Sequence, residues 1–125
     1  MNIPEDLHYT SDHEWVKVSG STVRIGITDY AQDALGDVVF IQLPLVGSTV
    51  SAHDPFSEIE STKSVNDVYA PVAGTVSAVN EELNSSPEML NSDPYGRGWI
   101  CDIDAGNIDT STLMTAAQYR VLIGS

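Results

Sequence analysis

Lys63 is the residue whose setting points most directly to chemistry. The chain has only two lysines, Lys17 and Lys63, and the second lies in the polar run Ser61-Thr62-Lys63-Ser64 between two strand-like segments. A hairpin tip at this run would carry the amine into solvent on a flexible four-carbon stem. That setting suits a lysine acylated by an enzyme, which must find the amine in a reproducible orientation. The alternative, an ordinary solvated lysine in a turn, stays open on the residues alone.

An internal repeat places Lys63 at a centre of symmetry. The segment Thr49-Val50-Ser51-Ala52 recurs as Thr75-Val76-Ser77-Ala78, and the midpoint between Val50 and Val76 is position 63. We therefore expect two similar strand units on either side of one central turn, with the lysine at that turn.

Period-two alternation of apolar residues predicts a mainly β domain. Strands separated by turn residues are expected at 14–18, 22–27, 38–43, around Val50, and at 56–61, 65–70, 75–79 and 99–103. Short helices are expected at 28–35, after Pro87, and within 110–122. Thr115 with Gln118 forms a weak capping box in the last of these. No linker or low-complexity segment divides residues 1–125, so we expect one domain, of the small sandwich or barrel kind.

The charge balance excludes several classes of partner. The chain carries 18 acidic and 5 basic side chains, a formal net charge of −13 at pH 7. Nucleic acids and anionic membranes bind clustered Lys and Arg, so neither is an expected partner. Negative charge instead favours partners with basic docking patches. No segment resembles a secretory signal or a membrane span of ~20 apolar residues, so we expect a cytoplasmic chain, or a mature organelle protein without its transit peptide.

The residues around Lys63 resemble the lipoylation segment of glycine cleavage H proteins. The likeness rests on Glu60-Ser61-Thr62-Lys63-Ser64 followed by Tyr69-Ala70-Pro71-Val72-Ala73-Gly74, and it runs through nearly the whole chain. Further matching segments are Asp12-His13-Glu14-Trp15-Val16, Gly26-Ile27-Thr28-Asp29-Tyr30-Ala31-Gln32, Leu35-Gly36-Asp37-Val38-Val39-Phe40 and Gly98-Trp99. Biotin carriers are disfavoured because they usually flank their lysine with methionines. Lipoyl domains of 2-oxoacid dehydrogenases are disfavoured because they usually show Asp-Lys-Ala.

The resemblance implies a fold and an attachment site. The fold is the flattened barrel-sandwich hybrid of lipoyl and biotinyl carriers, with Lys63 at a hairpin tip and short peripheral helices, one of them at the C-terminus. Lipoic acid forms an amide with the Lys63 amine. Glu60 matches the position that lipoyl-attaching enzymes read, and Gly74 the position where close backbone approach supports the hairpin.

The resemblance also implies that Glu14 lines a cleft in which the loaded arm docks, with Asp67 on the opposite side. A plainer interpretation stays open, in which Trp15 packs while His13 and Glu14 are surface polar groups. Ala34 departs from the family pattern, because many relatives carry a histidine in this short helical segment near the docking surface.

The function implied by the resemblance is that of a non-catalytic carrier. It would move an aminomethyl group from glycine decarboxylase (P protein) to the tetrahydrofolate-dependent aminomethyltransferase (T protein), and electrons to dihydrolipoamide dehydrogenase (L protein). Lipoyl-attaching enzymes are further partners, and a monomer is expected of a carrier that visits several enzymes.

Two other functions stay open at this level. One is a lipoyl relay protein that donates lipoate to other carrier domains from the same attachment site. The other is an enzyme that uses Lys63 as a Schiff-base amine, which the polar Ser-Thr-Lys-Ser setting disfavours because such a lysine needs desolvation. No metal site is expected, since His8, His13 and His53 are scattered and no cysteine lies near them.

Overall fold

Two antiparallel β-sheets and a few short helices make up the fold. The computed structural model describes residues 1–124. Its strands are β1 His8–Tyr9, β2 Glu14–Ser19, β3 Thr22–Ile27, β4 Val38–Gln42, β5 Thr49–Val50, β6 Pro55–Ser61, β7 Val65–Tyr69, β8 Gly74–Val79 and β9 Cys101–Asp104. Its helices are α1 Asp29–Leu35, α2 Glu82–Ser85, α3 Met89–Ser92 and α4 Ala116–Ile123, with a 3₁₀ turn at Thr110–Thr112. The strand order is β1-β2-β3-β9-β8-β5 in the larger sheet and β4-β6-β7 in the smaller one. The predicted mainly β class is confirmed, as two sheets rather than one closed barrel.

The main core lies between these two sheets. Alternate residues of a strand point to the same side, so each strand contributes one apolar row to the interior. The larger sheet supplies Val23, Ile25, Val76, Cys101 and Ile103, and the smaller sheet supplies Val38, Ile41, Ile59 and Val68. All nine side chains are at least 96% buried. The apolar residues of the period-two alternation are therefore the ones that fill this core.

The segment from β5 to β8 folds back on itself around the turn at 61–64. Within it, β6 pairs antiparallel with β7, with Glu60 opposite Val65 at the base of the turn. Farther from the turn, β5 pairs with β8, with Thr49 opposite Thr75. The two repeated segments thus lie side by side, as the internal repeat predicts, and Lys63 is at the tip between them.

A second, smaller core covers the opposite side of β2. Tyr9 of β1 stacks on Tyr119 of α4 with ring centroids 4.8 Å apart, and Trp15 packs in the same cluster. The predicted capping box at the start of α4 is confirmed, since the Thr115 hydroxyl accepts from the Gln118 N–H and the Gln118 side chain accepts from the Thr115 N–H. This cluster fixes α4 against the edge of the larger sheet.

The structure differs from the predicted elements where those elements are shortest. The two-residue strand β1 was not predicted, because alternation over two residues gives no signal. One helix was predicted after Pro87, whereas α2 precedes that proline and α3 follows it, each with a single turn. The last core strand begins at Cys101 rather than at Trp99.

Gly74→Ala tests the packing at the base of the hairpin. A Cβ at Gly74 would overlap the carbonyl oxygen of Asp104 and lie 2.6 Å from Cγ2 of Ile103, so β8 and β9 would have to separate. We expect the free energy of unfolding, measured by urea titration, to fall by about 1–3 kcal/mol. Thr75→Ala, at the exposed neighbouring position, is the control and should cost less than about 1 kcal/mol. Equal effects of the two substitutions would contradict the close approach.

Candidate functional site

The turn that carries Lys63 is held by its own hydrogen bonds. The Ser61 N–H donates to the Ser64 carbonyl oxygen at 2.8 Å. The Ser61 hydroxyl oxygen accepts the N–H groups of Lys63 and Ser64, each at 3.1 Å. The Lys63 side chain is exposed and takes no part in these bonds. The turn therefore presents the lysine on a fixed backbone whatever is attached to its amine.

Contacts with the start of β4 hold the same turn from the side. The Thr62 N–H donates to the Asp37 carbonyl oxygen at 3.0 Å. Gly36, with φ of +78°, lies under the aliphatic stem of Lys63, and a Cβ there would be 3.2 Å from the lysine Cε. Glycine at this position thus ends α1 with a positive φ and an extended ψ, which other residues rarely adopt, and leaves room for the stem.

Asn91 of α3 fixes the connection that carries Gly36. Its amide donates to the Gly36 carbonyl oxygen at 2.8 Å and to the Gln32 side chain at 3.1 Å. Its amide oxygen accepts the Val38 N–H at 2.9 Å. Asn91 was not singled out among the candidate site residues, because its role comes from a contact between segments about 55 residues apart.

A cleft of about 380 Å³ lies between α1 and the smaller sheet. Its walls come from the turn before β2, from α1 and from β7. Leu35 lines the cleft, and the residue that follows it, Gly36, lies against the Lys63 stem. The lining residues are Ser11, Asp12, His13, Glu14, Ile27, Tyr30, Ala31, Ala34, Leu35, Ile59, Asn66, Asp67, Val68 and Tyr69.

Glu14 is a buried carboxyl group in this cleft. It is only 2% exposed. One of its oxygens accepts the Thr10 hydroxyl at 2.7 Å and the other accepts the Tyr69 N–H at 3.2 Å. Burial raises the pKa of Glu14 to about 7, although both hydrogen bonds act to lower it. The interpretation of Glu14 as a surface polar group is therefore wrong.

No basic side chain neutralises Glu14 within residues 1–124. The ion pairs found there are Arg24–Asp102, Arg97–Glu82 and Arg120–Glu5. Asp12 and Asp67 line the same cleft and add to its acidic character. A cation that entered the cleft would therefore meet a carboxylate that no other cation of the described residues occupies, in surroundings where the attraction is weakly screened.

His13 forms part of the wall next to Glu14. Its backbone has φ of +67°, an uncommon value for a residue other than glycine. Its Nδ1 lies 2.8 Å from the Tyr119 hydroxyl, which in turn lies 2.8 Å from the Thr28 hydroxyl at the start of α1. Burial lowers the pKa of His13, which favours its neutral form. These contacts link α4 to the cleft, and no sequence signal marks this left-handed position.

The other predicted site residues lie at separate places. Asp67 lines the cleft with Glu14, so the structure brings these two together. Glu60 is exposed on the outer face of the smaller sheet, between Phe40 and Val65. Gly74 is crowded by the Asp104 carbonyl and the Ile103 side chain, so its close approach is to β9. Ala34, the departure from the family pattern, lies at the cleft and exposes a methyl group there.

The site thus combines two packed sheets, a hydrogen-bonded hairpin tip with an exposed lysine, and a cleft with a buried carboxyl group. Comparison with known proteins shows the family to which this architecture belongs. The model of the glycine cleavage H-protein family matches residues 7–124. The glycine cleavage system H protein of Mycobacterium bovis BCG is 59% identical over 127 aligned positions, covering 95% of each chain. That of Mycobacterium tuberculosis is 58% identical over the same shares.

A solved structure agrees with these sequence relatives. The crystal structure of a glycine cleavage system H protein from Mycobacterium marinum superposes with a TM-score of 0.92, at 42% identity, over 98% of this chain and 100% of that one. The chain belongs to the glycine cleavage H-protein family. It is therefore a non-catalytic carrier component of the glycine cleavage system, in a family of lipoyl-carrying proteins.

Through residue 124, no helix combines the length and the apolar character needed to cross a bilayer.

Glu14→Gln tests the burial of this carboxyl group. The pKa of Glu14 is raised from 4.5 to about 7, so the folded chain holds a proton that the unfolded chain has released between these values. The stability that this proton provides is complete below pH 4.5 and is lost as the pH rises through 7. Over that pH range, the free energy of unfolding of the wild type, measured by urea titration, should fall by on the order of 3 kcal/mol relative to that of Glu14→Gln.

A second variant checks the cause. Thr10→Val removes a hydrogen bond that lowers the pKa of Glu14, so it should move the loss of stability to higher pH. A difference between wild type and Glu14→Gln that stays constant with pH would show that the carboxyl group is not buried as described.

Proposed function

We propose that this chain carries lipoic acid as an amide on Lys63. In the proposed cycle it moves an aminomethyl group from glycine decarboxylase to aminomethyltransferase, and electrons to dihydrolipoamide dehydrogenase. The observation that supports this most directly is an exposed lysine on a turn whose N–H groups are bound by the Ser61 hydroxyl, together with a nearby cleft that contains a buried carboxyl group. We also propose a cytoplasmic location, which the sequence led us to expect.

The attachment step needs only the lysine nitrogen from this chain. In that step the Lys63 nitrogen attacks the carbonyl carbon of an activated lipoyl ester. A C–N bond forms, the C–O bond to the leaving group breaks, and the lysine ammonium gives up two protons in all. Because Ser61 and Asp37 hold the turn through the backbone, the nitrogen keeps its place while its substituent changes.

The residues of the site fit a lipoyl arm. When bound, the lipoyl group supplies a dithiolane whose sulfurs accept an aminomethyl group and a pair of electrons. Gly36 leaves space for the stem of Lys63, and the cleft starts at the next residue along α1. The apolar walls formed by Ile27, Ala31 and Leu35 exclude water from the end of the arm. In this proposal, the Glu14 carboxylate at the other wall holds a protonated amine.

Tethering accounts for the advantage of such a carrier. A covalently held group reaches each partner without diffusing away, which raises its effective concentration. The same carrier must leave each partner quickly, so its docking interfaces should lie at the low end of the range, near about 1,200 Å². A Schiff-base role for Lys63 is disfavoured, because that chemistry needs a desolvated lysine and this one is exposed.

The attachment site is tested by Lys63→Arg. After incubation with a lipoate ligase, lipoic acid and ATP, the wild type should gain one lipoyl mass increment and Lys63→Arg should gain none, as read by intact-protein mass spectrometry. Lys17→Arg is the matched control, since Lys17 is the only other lysine and is also exposed. It should gain the increment at the wild-type rate. An increment retained by Lys63→Arg would refute the proposal.

Salt dependence tests whether the negative charge steers encounters. The net charge is −13, so partners that dock on this chain should do so through basic patches. We expect kcat/KM for the carrier in the reconstituted cycle to fall several-fold as NaCl rises from about 0.1 M to about 1 M, because the Debye length shortens from ~10 to ~3 Å. A rate independent of salt would contradict electrostatic steering.

A further inference from the structure

The Tyr119 hydroxyl joins three elements at one buried point. Tyr119 belongs to α4, and its oxygen lies 2.8 Å from the Thr28 hydroxyl at the start of α1 and 2.8 Å from Nδ1 of His13 in the turn before β2. The Thr28 N–H also donates to the His13 carbonyl oxygen at 3.1 Å, which closes a ring of contacts. Tyr119 and Thr28 are both 0% exposed, so water does not supply hydrogen-bond partners there.

The protons in this ring of contacts are placed by counting donors and acceptors. The Thr28 oxygen already accepts the Ala31 N–H at 3.2 Å, and within residues 1–124 the Tyr119 oxygen is the one partner left for its hydroxyl proton. The Tyr119 hydroxyl then donates to Nδ1 of His13. If Nδ1 carried a proton, one of the two buried hydroxyl protons would have no acceptor, which is unfavourable. The proton of the His13 ring therefore lies on Nε2.

The opposite edge of the His13 ring lies at the cleft. His13 is one of the cleft-lining residues, and its ring packs on that of Tyr30 with centroids 4.7 Å apart. Because Nδ1 points to α4, the edge that remains for the cleft carries Nε2. Every buried side-chain nitrogen or oxygen in the described residues has a partner, and Nε2 has none there, so Nε2 is open to solvent.

The titratable groups around His13 are acids, which favour a protonated imidazole. They are Asp12 and Glu14 in its own turn, Tyr30 of α1, Tyr119 of α4, and Asp67 and Tyr69 of β7. Burial lowers the pKa of His13 although Asp12 acts to raise it. The hydrogen bond from Tyr119 acts in the same direction as burial, because a protonated ring would have to give it up.

A protonated His13 would compete with any ligand for Glu14. The two residues are adjacent in the turn and line the same cleft. An imidazolium there would itself balance the Glu14 carboxylate and would repel a protonated amine. With His13 neutral, the cation that balances Glu14 has to come with the ligand.

We propose that Tyr119 is a positioning residue: its hydroxyl holds His13 as a neutral imidazole with the proton on Nε2, and so reserves Glu14 for the amine that the arm carries. The proposal rests on the proposed function, in which the loaded arm of Lys63 docks in this cleft. It gives α4 a role in the carrier cycle, although α4 itself does not line the cleft.

The unlipoylated chain tests the placement of the proton. Nitrogen-15 NMR of the His13 ring reads its tautomer and its pKa, and we expect the Nε2–H tautomer in the wild type. Tyr119→Phe keeps the ring that stacks on Tyr9 but frees the imidazole to turn toward water, so the pKa of His13 should rise. Tyr9→Phe is the matched control, since it removes a hydroxyl that donates to the Pro4 carbonyl oxygen in the same cluster, and it should leave that pKa unchanged.

Retention of the amine tests the consequence. The lipoylated chain is loaded with glycine and glycine decarboxylase, and release of formaldehyde is followed at pH 6 and pH 8. Hydrolysis of the loaded arm breaks the C–S bond and, with one water, gives the thiol, formaldehyde and ammonium. Tyr119→Phe should release formaldehyde several-fold faster than the wild type at pH 6 and at the same rate at pH 8. Adding His13→Asn, which cannot be protonated and tolerates a positive φ, should remove the difference at pH 6.

The outcomes separate this proposal from the one on which it rests. An Nδ1–H tautomer in the wild type, or equal changes in the pKa of His13 in Tyr119→Phe and Tyr9→Phe, would overturn the role of Tyr119 and leave the attachment at Lys63 standing. A faster release that is the same at both pH values would also overturn it, because a merely structural defect has that signature. An increment retained by Lys63→Arg would refute the attachment itself. If Tyr119→Phe does not fold, the tautomer of the wild type decides.

Discussion

The register of β6 against β7 is the constraint on which the site depends. With Glu60 opposite Val65, Ile59 and Val68 point into the core and Lys63 falls at the tip of the turn. A shift of one residue would turn those apolar side chains into solvent and place acidic ones in the interior. The burial of the core therefore also sets where the lysine stands and which residues surround it. The same strand register therefore sets both the stability of the hairpin and the position of Lys63.

Glu14 is the buried carboxyl group that gives the cleft its chemical character. Its carboxyl group is held by Thr10 and by the backbone of Tyr69, so its position is fixed, while burial makes its charge costly in the absence of a cation. A positively charged group that entered the cleft would offset this cost of burying the charge. In the proposed function, an arm on Lys63 would bring such a group when it carries an amine. In the proposed cycle, the lysine turn would supply the arm and Glu14 would hold the amine that the arm carries.

The sequence is informative wherever one face of a strand is buried and the other is not. Alternation correctly predicts β3, β6 and β8, and the internal repeat correctly places Lys63 at the tip. It misses the burial of Glu14, because β2 has cores on both sides at this point and Glu14, Trp15 and Val16 are all buried. One-turn helices and the two-residue β1 are too short to show a period. The left-handed backbone of His13 and the clamp formed by Asn91 arise from contacts between distant segments, which no local pattern records.

The most direct test of the account is the titration of Glu14 by carbon-13 NMR of its side-chain carboxyl group. It would be measured in the unmodified chain, in the chain lipoylated at Lys63, and in the same chain carrying an aminomethyl group. We predict a midpoint of about 7 in the unmodified chain. We predict a clearly lower midpoint once the arm carries the protonated amine, because a nearby positive charge favours the carboxylate. An identical midpoint in all three forms would show that the arm of Lys63 does not reach Glu14 and would contradict the account.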